Sequence, residues 1–409
     1  MEKDCMRGLP KSIWAMGLVS LFMDVSSEMV HSLLPVFLIT VLGSSTLVVG
    51  AIEGVAEATA LITKVFSGVL SDWLGKRKVL AVAGYGMAMA TKPLFAVAGS
   101  VGLVFTARFL DRLGKGIRGA PRDALIADVT QADSRGAAYG LRQAMDSLGA
   151  CLGPLVAMVI MLKWTGGFRI VFWVAALPAA LAVAVLVAGV KEPAHLSKKK
   201  RANPICRRDI GQLSMAYWLV VLFGSVFNLA RYSEAFLLLR AQSVGMAPSF
   251  IPAMLMLMNV VYALTVYPAG RLSDRIGRKG LVTGGLAVLI FADIILALAG
   301  TKIQVAVGVA FWGLHMGLTQ GLLAAMVADQ APAQLRGTAF GFFNLAGGIA
   351  LLAASVVAGW LWGRFGAPVT FYSGAAVALV ALGIYVVTPA SASKTDMQRN
   401  AVPRAPKRD

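Results

Sequence analysis

Apolar residues in this 409-residue chain gather in runs of about twenty, separated by mostly short polar connections. A run of about 20 apolar residues crosses the ~30 Å hydrocarbon of a bilayer as an α-helix. The pattern therefore predicts twelve membrane-spanning helices, at 13–40, 47–70, 79–98, 101–122, 138–162, 168–190, 212–240, 249–269, 281–299, 303–328, 338–362 and 368–388. The one long polar connection, 191–211, holds Lys198, Lys199, Lys200, Arg201, Arg207 and Arg208. It divides the chain into a six-helix bundle over 1–190 and a second over 212–388. Residues 389–409 are polar, basic and proline-containing, and are expected to be a disordered tail. The short polar N-terminus runs into the first apolar segment without a small-residue cleavage site, so the first helix is expected to be retained.

Composition agrees with a membrane protein: 58% of residues are hydrophobic, 14% are charged, and 43 are glycines suited to close helix packing in lipid. The net charge of +18, from 38 Lys+Arg against 20 Asp+Glu, would point to nucleic acid in a soluble chain. Alternating the spans across a bilayer gives it another meaning. Twenty-six of the cations fall on the side of the termini and five, Lys163, Arg169, Arg240, Lys302 and Arg364, on the other. By the positive-inside rule this places both termini in the cytoplasm, and basic segments there face anionic lipid, not nucleic acid. Cys5, Cys151 and Cys206 have no metal or redox spacing.

The two halves repeat. Gly68-Val-Leu-Ser-Asp72-Trp-Leu-Gly75-Lys-Arg77-Lys follows the second span, and Gly270-Arg-Leu-Ser-Asp274-Arg275-Ile-Gly277-Arg278-Lys follows the eighth, 202 residues later. Ala127-Asp128 and Arg135-Gly-Ala-Ala-Tyr-Gly140 recur as Ala328-Asp329 and Arg336-Gly-Thr-Ala-Phe-Gly341, 201 residues later. Two matches at nearly one offset indicate duplication of a six-helix unit.

Twelve spans, a basic central loop and G-x-L-x-D-R-x-G-R-K in both halves resemble the major facilitator superfamily over essentially the whole chain. The first copy departs from the motif with Trp73 in place of Arg. The resemblance implies an all-α integral membrane fold of two pseudo-symmetric six-helix bundles. It also implies a secondary transporter working by alternating access, with the motif loops latching the cytoplasmic side. Physically, such a loop is a tight glycine turn whose carboxylate and guanidinium groups bridge helices and cap their ends. Gly149-Ala-Cys-Leu-Gly153-Pro154 on helix 5 is similar to the G-x-x-x-G-P element of the drug/proton antiporter branch, although Leu155-Val-Ala replaces its further glycines. Arg112-Leu-Gly-Lys115-Gly116 loosely resembles the family's helix 4 motif, whose Arg is implied in proton transfer.

Ionisable residues inside a bilayer cost roughly 2.5–3.5 kcal/mol each on insertion scales and usually face a cavity or a partner. Asp24, Glu28 and His31 fall at i, i+4 and i+7, within one stripe of about 60° on helix 1, with Pro35 continuing it. Glu53, Glu57 and Lys64 share a stripe on helix 2. Arg108, Asp111, Arg112, Lys115 and Arg122 do so on helix 4, and Arg142 and Asp146 can pair on helix 5. The second half holds fewer: Arg231, Glu234, Asp293 and His315. With Lys92 added, and Arg122 at the end of its span left out, the inventory is eight acids and seven bases, which argues for mutual pairing. Asp24, Arg142 and Asp146 correspond to Ser225, Phe343 and Gly347, so the shared scaffold does not require these charges. One half is thus expected to handle ions, with Asp24 and Arg112 as the leading switch.

Phosphate-cradling loops, nucleophile elbows and H-E-x-x-H are absent from the sequence, so neither an enzyme nor ATP drive is expected. His31 beside Asp24 and Glu28 is weighed as a cation site, but no metal or other cofactor is assigned. The expectation is a monomeric, multi-pass transporter of the bacterial-type inner (plasma) membrane, moving a small-molecule substrate against protons, with export favoured. The alternatives are a proton-linked importer of an organic anion or metal chelate, using the helix 4 cations, and a non-transporting membrane sensor.

Overall fold

The structure is a computed structural model and describes residues 9–190, 192, 213–332 and 335–387. The side chains of Asp72, Ala132 and residues 274–278 lie outside that description, as do nearly all of the basic connection and the tail. Thirteen α-helices are present among the described residues. They are α1 (Lys11–His31), α2 (Leu34–Thr40), α3 (Thr46–Leu74), α4 (Arg77–Val97), α5 (Val101–Val129), α6 (Arg135–Lys163), α7 (Phe168–Gly189), α8 (Met215–Ala230), α9 (Ala235–Ser243), α10 (Pro252–Leu298), α11 (Lys302–Gln330), α12 (Arg336–Phe365) and α13 (Ala367–Val387).

Eleven of the helical stretches are long and apolar enough to cross a membrane. The predicted fourth span is the twelfth: α5 is 29 residues long but carries too many charges to qualify by hydropathy. It also runs on to Val129, past the expected end at 122, because its last turns are polar yet still packed.

Helix starts on the side away from the termini are written locally. Ser45, Ser100 and Thr301 each accept a hydrogen bond from the backbone N–H three residues on, which satisfies a donor that the first turn leaves free. Gln304 Oε1 in turn accepts from the Thr301 N–H at 3.1 Å, completing a capping box. On the terminus side α3 ends at Gly75, whose φ of 62° is left-handed backbone that favours glycine. Glu192, just past α7, accepts from the N–H groups of Arg77 and Lys78 at 2.8 and 3.0 Å and caps α4.

The first span of each half is broken. Ser32 and Leu33 separate α1 from α2, with Pro35 in the first turn of α2, and Arg231–Glu234 separate α8 from α9. In the second half, α10 stays helical through the second charged motif while the chain reverses. Gly313 and Gly317 of α11 lie on Met258 and Thr265 of its first arm, whereas Gly308 and Thr319 lie on Leu296 and Gly285 of its second. The two arms are therefore antiparallel, and the reversal lies between Thr265 and Gly285, the stretch that holds the motif.

Within each half the helices pack closely, α5 on α3 and α4, and α1 on α6 and α7. The halves meet along α3 against α12, α6 against α10, and α2 against α9. Thr46 Oγ1 donates to Gly359 O at 2.9 Å, and Asn259 Nδ2 to Ala150 O at 3.1 Å. The segments 33–38 and 235–239, on the side away from the termini, are almost wholly buried. That end of the bundle is the apolar seal above the site.

Candidate functional site

The stripes predicted on helices 1, 2 and 4 converge in the first half. Arg108, on α5, donates from Nη2 to Glu53 Oε2 of α3 at 2.6 Å. His31 Nε2 lies 3.8 Å from the same carboxylate, and its Nδ1 lies 3.5 Å from Glu28 Oε2. A second chain begins at Lys92 on α4, whose Nζ donates to Asp111 Oδ1 at 2.8 Å and contacts Ser27 Oγ at 3.5 Å. Arg112 stands 3.9 Å from Asp111 Oδ2 and 3.3 Å from Glu57 Oε1. Lys92, Arg108, Asp111, Arg112 and Glu53 are all at most 4% exposed. Alternating signs are what make such burial tolerable, because each lone charge would be costly in a low dielectric.

Other members face open space. Arg142 Nη1 donates to Asp146 Oδ2 at 2.7 Å on α6, the i, i+4 pair expected. Arg231 Nη2 and Glu234 Oε1 sit 3.7 Å apart across the break between α8 and α9. Glu57 keeps 34% exposure and Glu28 22%. Lys115 is exposed and forms no ion pair among the described residues, yet seven residues at about 100° each return it to the face of buried Arg108. Its exposure therefore opens inward, to a central cavity, and not to lipid. Glu57, Asp24 and Glu28 are the acids close enough to act on it. Glu234 lies within electrostatic reach of His31, Glu28 and Glu57, so the second half completes the wall of the cavity.

Asp24, expected to switch with Arg112, has no ion pair among the described residues; Arg112 is held by Glu57 and Asp111 instead. Lys115, Arg118, Asp146 and Glu28 are the charges that act on it. The helix 5 element explains its setting. A Cβ on Gly149 would lie 2.9 Å from Asp24 Cβ, and one on Gly153 would lie 2.8 Å from Glu28 Cβ. These two glycines let α6 ride directly over the acidic stripe of α1, and Pro154 sits buried beside them inside α6.

At the terminus side, Arg77 pairs with Asp128 and also donates to Ala124 O at 3.1 Å. The two motifs of the first half are thus joined to each other, α4 to the end of α5. Gly68 packs against Ala120 of α5. Gly270 is on the first arm of α10, while the side chains of Asp72, Asp274, Arg275 and Arg278, and the surroundings of Gly277, are outside the described residues.

Several functional neighbours escaped the sequence inventory. Arg118 is 5% exposed and places its guanidinium 4.6 Å from the centre of the Tyr85 ring. Arg169 and Arg240, predicted as charges of the side away from the termini, cap helices there. Arg169 donates to Ala96 O and Ala98 O past α4, and Arg240 to Leu296 O, Ala297 O and Ala299 O at the end of α10. The apolar run on either side hides such a role from pattern alone.

Two repeated six-helix bundles that meet along their helices, with ionisable side chains gathered within the membrane-spanning stretch, define a membrane transporter. The profile of the Major Facilitator Superfamily matches residues 16–239 and 213–408, and the chain belongs to that superfamily. It is 33% identical over 381 residues to an uncharacterised MFS-type transporter of Methanocaldococcus jannaschii, covering 91% of this chain and 94% of that one. It is 24% identical over 339 residues to the multidrug resistance protein MdtH of Yersinia pestis, covering 81% of this chain and 82% of the relative. Its fold matches the crystal structure of the peptide transporter POT in complex with sulfate, with a TM-score of 0.76 at 17% identity over 93% of this chain and 94% of that chain.

Proposed function

We propose that the protein is a proton-coupled antiporter that exports a small solute across the inner (plasma) membrane, with both termini cytoplasmic. The observation that carries the coupling is the position of Asp24. It is an acid without an ion pair among the described residues, on the charged stripe of α1, held under α6 by Gly149 and within reach of Lys115 and Arg118. A carboxyl so placed binds a proton when the cavity opens to one side and is drawn toward a cation when it opens to the other. The buried pairs Lys92–Asp111 and Arg108–Glu53 hold the scaffold while Asp24 titrates. The excess of cations on the terminus side supports cytoplasmic termini, and the likeness to a multidrug resistance protein supports export.

One observation favours a second reading. Lys115 is a cavity-facing cation without a fixed partner, which suits a solute carrying a carboxylate and import with protons. Reconstitution in liposomes with a trapped pH dye separates the two. Ethidium, as a cationic probe, should move opposite to protons and collapse an imposed pH gradient. Accumulation of citrate together with protons would move the assignment to the importer. Solute movement indifferent to complete collapse of the proton gradient would overturn coupling through Asp24.

A further inference from the structure

The second half buries a carboxyl that no cation answers. Asp293, on the second arm of α10, is 0% exposed. Tyr232 Oη donates to its Oδ1 at 3.5 Å, while Oδ2 is buried without a hydrogen-bond partner. Asp293 belongs to none of the ion pairs among the described residues.

The internal repeat makes this specific. At the offset of 201 residues, Asp293 corresponds to Lys92, and Trp312 on α11 corresponds to Asp111. The first half has a lysine–aspartate pair at 2.8 Å in this place. In the second half the same two positions hold an acid and an indole, and Trp312 Nε1 is likewise buried without a partner. An indole N–H can donate a hydrogen bond but cannot neutralise a carboxylate. Bare ionised carboxylates in apolar surroundings cost far more than the neutral acid, so the charge that Lys92 balances in one half is left, in the other, to a proton.

The groups around Asp293 support this. Tyr232 is its titratable neighbour and comes from the non-helical backbone between α8 and α9. From α11, Trp312 packs its ring 5.7 Å from that of Tyr232, and from α13 Phe371 packs at 5.8 Å, neither bringing charge. Gly374 of α13 leaves the room, since a Cβ there would lie 2.7 Å from Asp293 Oδ2 and 2.9 Å from the Tyr232 ring. Arg240, one turn beyond, donates to the carbonyls of Leu296, Ala297 and Ala299. His315, on the turn of α11 after Trp312, is bonded through Nδ1 to Gly285 O at 2.7 Å.

We propose that Asp293 is a proton-binding site separate from the charge network of the first half, and that its neutral form, held by Tyr232, fixes the break between α8 and α9. Irregular backbone at membrane depth persists only where protein or a water-filled cavity satisfies it, and this break is fastened on one side by the acid. The inference goes beyond the coupling assigned to Asp24 and does not depend on it.

Infrared difference spectra of the full-length protein in lipid nanodiscs, taken between neutral and alkaline buffer, test the site. Wild type should show a protonated-carboxyl C=O band at neutral pH that is absent in Asp293→Asn and moves to higher frequency in Tyr232→Phe. Backbone hydrogen exchange across residues 231–236, corrected for intrinsic pH dependence, should rise as the band disappears in wild type and stay constant in Asp293→Asn. Should the Asn variant not fold, Asp293→Glu, which keeps the acid but moves it, should displace the band. A band that survives Asp293→Asn, or that is lost only in Asp24→Asn, would overturn the proposal, as would exchange that rises equally in wild type and Asp293→Asn. Transport indifferent to a proton gradient would refute the coupling proposed for Asp24 and leave the band and the exchange result unchanged.

Discussion

The charged side chains of the first half divide by what their removal exposes. The side chains of Lys92 and Asp111 are 1% and 5% exposed, and among the described residues the ammonium hydrogen-bonds, apart from Asp111, to Ser27 at 3.5 Å. Neutralising one partner strands a buried charge, a change that typically costs about 3–5 kcal/mol, whereas removing both at matched volume is often nearly neutral. Asp111→Asn should therefore lower the thermal midpoint of the purified protein sharply, while Lys92→Met with Asp111→Leu should recover most of the loss; equal destabilisation by single and double variants would show that the pair is not the cause. Arg77–Asp128 is the contrasting case, with side chains 15% and 24% exposed. Pairs of that kind contribute about 0–1 kcal/mol. Asp128→Asn should leave the midpoint almost unmoved and still slow transport in liposomes if the motif acts as a latch, and an unchanged rate at equal protein level would reduce it to a topological turn.

At the scale of the helix, small residues decide how near the charges come. Gly149 and Gly153 face the backbone of α1 so closely that a Cβ on either would lie 2.7 Å from a carbonyl oxygen, of Leu21 and Val25 respectively. Gly153→Val should push α6 off α1, separate Glu28 and Asp24 from the facing helix and abolish transport while the protein still inserts; a cysteine pair bridging α1 and α6 that cross-links as well in this variant as in its parent would contradict that. The helices themselves were largely legible in the sequence, because length and apolar content are enforced by the bilayer, and α5 was read from its apolar run although its charges keep it below the hydropathy of the other spans. Less visible were the breaks at Ser32–Leu33, where Pro35 leaves the His31 carbonyl without a donor, and at Arg231–Glu234, which hold neither glycine nor proline. Pairings within one helix, such as Arg142 with Asp146, could be read from spacing. Choosing among Asp24, Glu57 and Asp111 as the partner of Arg112 requires knowing which helices touch, and α5 packs closely against α3 and α4 but only lightly against α1, which carries Asp24.

Across the whole molecule the two halves share a scaffold and divide the chemistry. Gly84 and Gly114 approach so closely that a Cβ on either would lie 2.6 Å from the other's carbonyl oxygen, and the corresponding positions hold Gly285 and His315, joined by a hydrogen bond of 2.7 Å. Equivalent helices thus cross at equivalent points, and the charges laid on them differ. In a rocking transporter the halves move as bodies around a fixed site, so a group that couples them to protons must sit in the cavity and not in the packed interior. Asp24 meets that condition and Asp111 does not. Holding the acid permanently neutral should then leave the rocking of the substrate-loaded protein intact while removing the step that requires release of the proton. For Asp24→Asn we expect exchange of labelled for unlabelled solute across liposomes with no pH gradient to continue at a rate close to wild type, while accumulation driven by a pH gradient is lost. Loss of both activities in a variant that retains its thermal midpoint would make Asp24 part of solute binding, and retention of both would move the coupling group to another carboxyl of the cavity, Glu28 or Glu57.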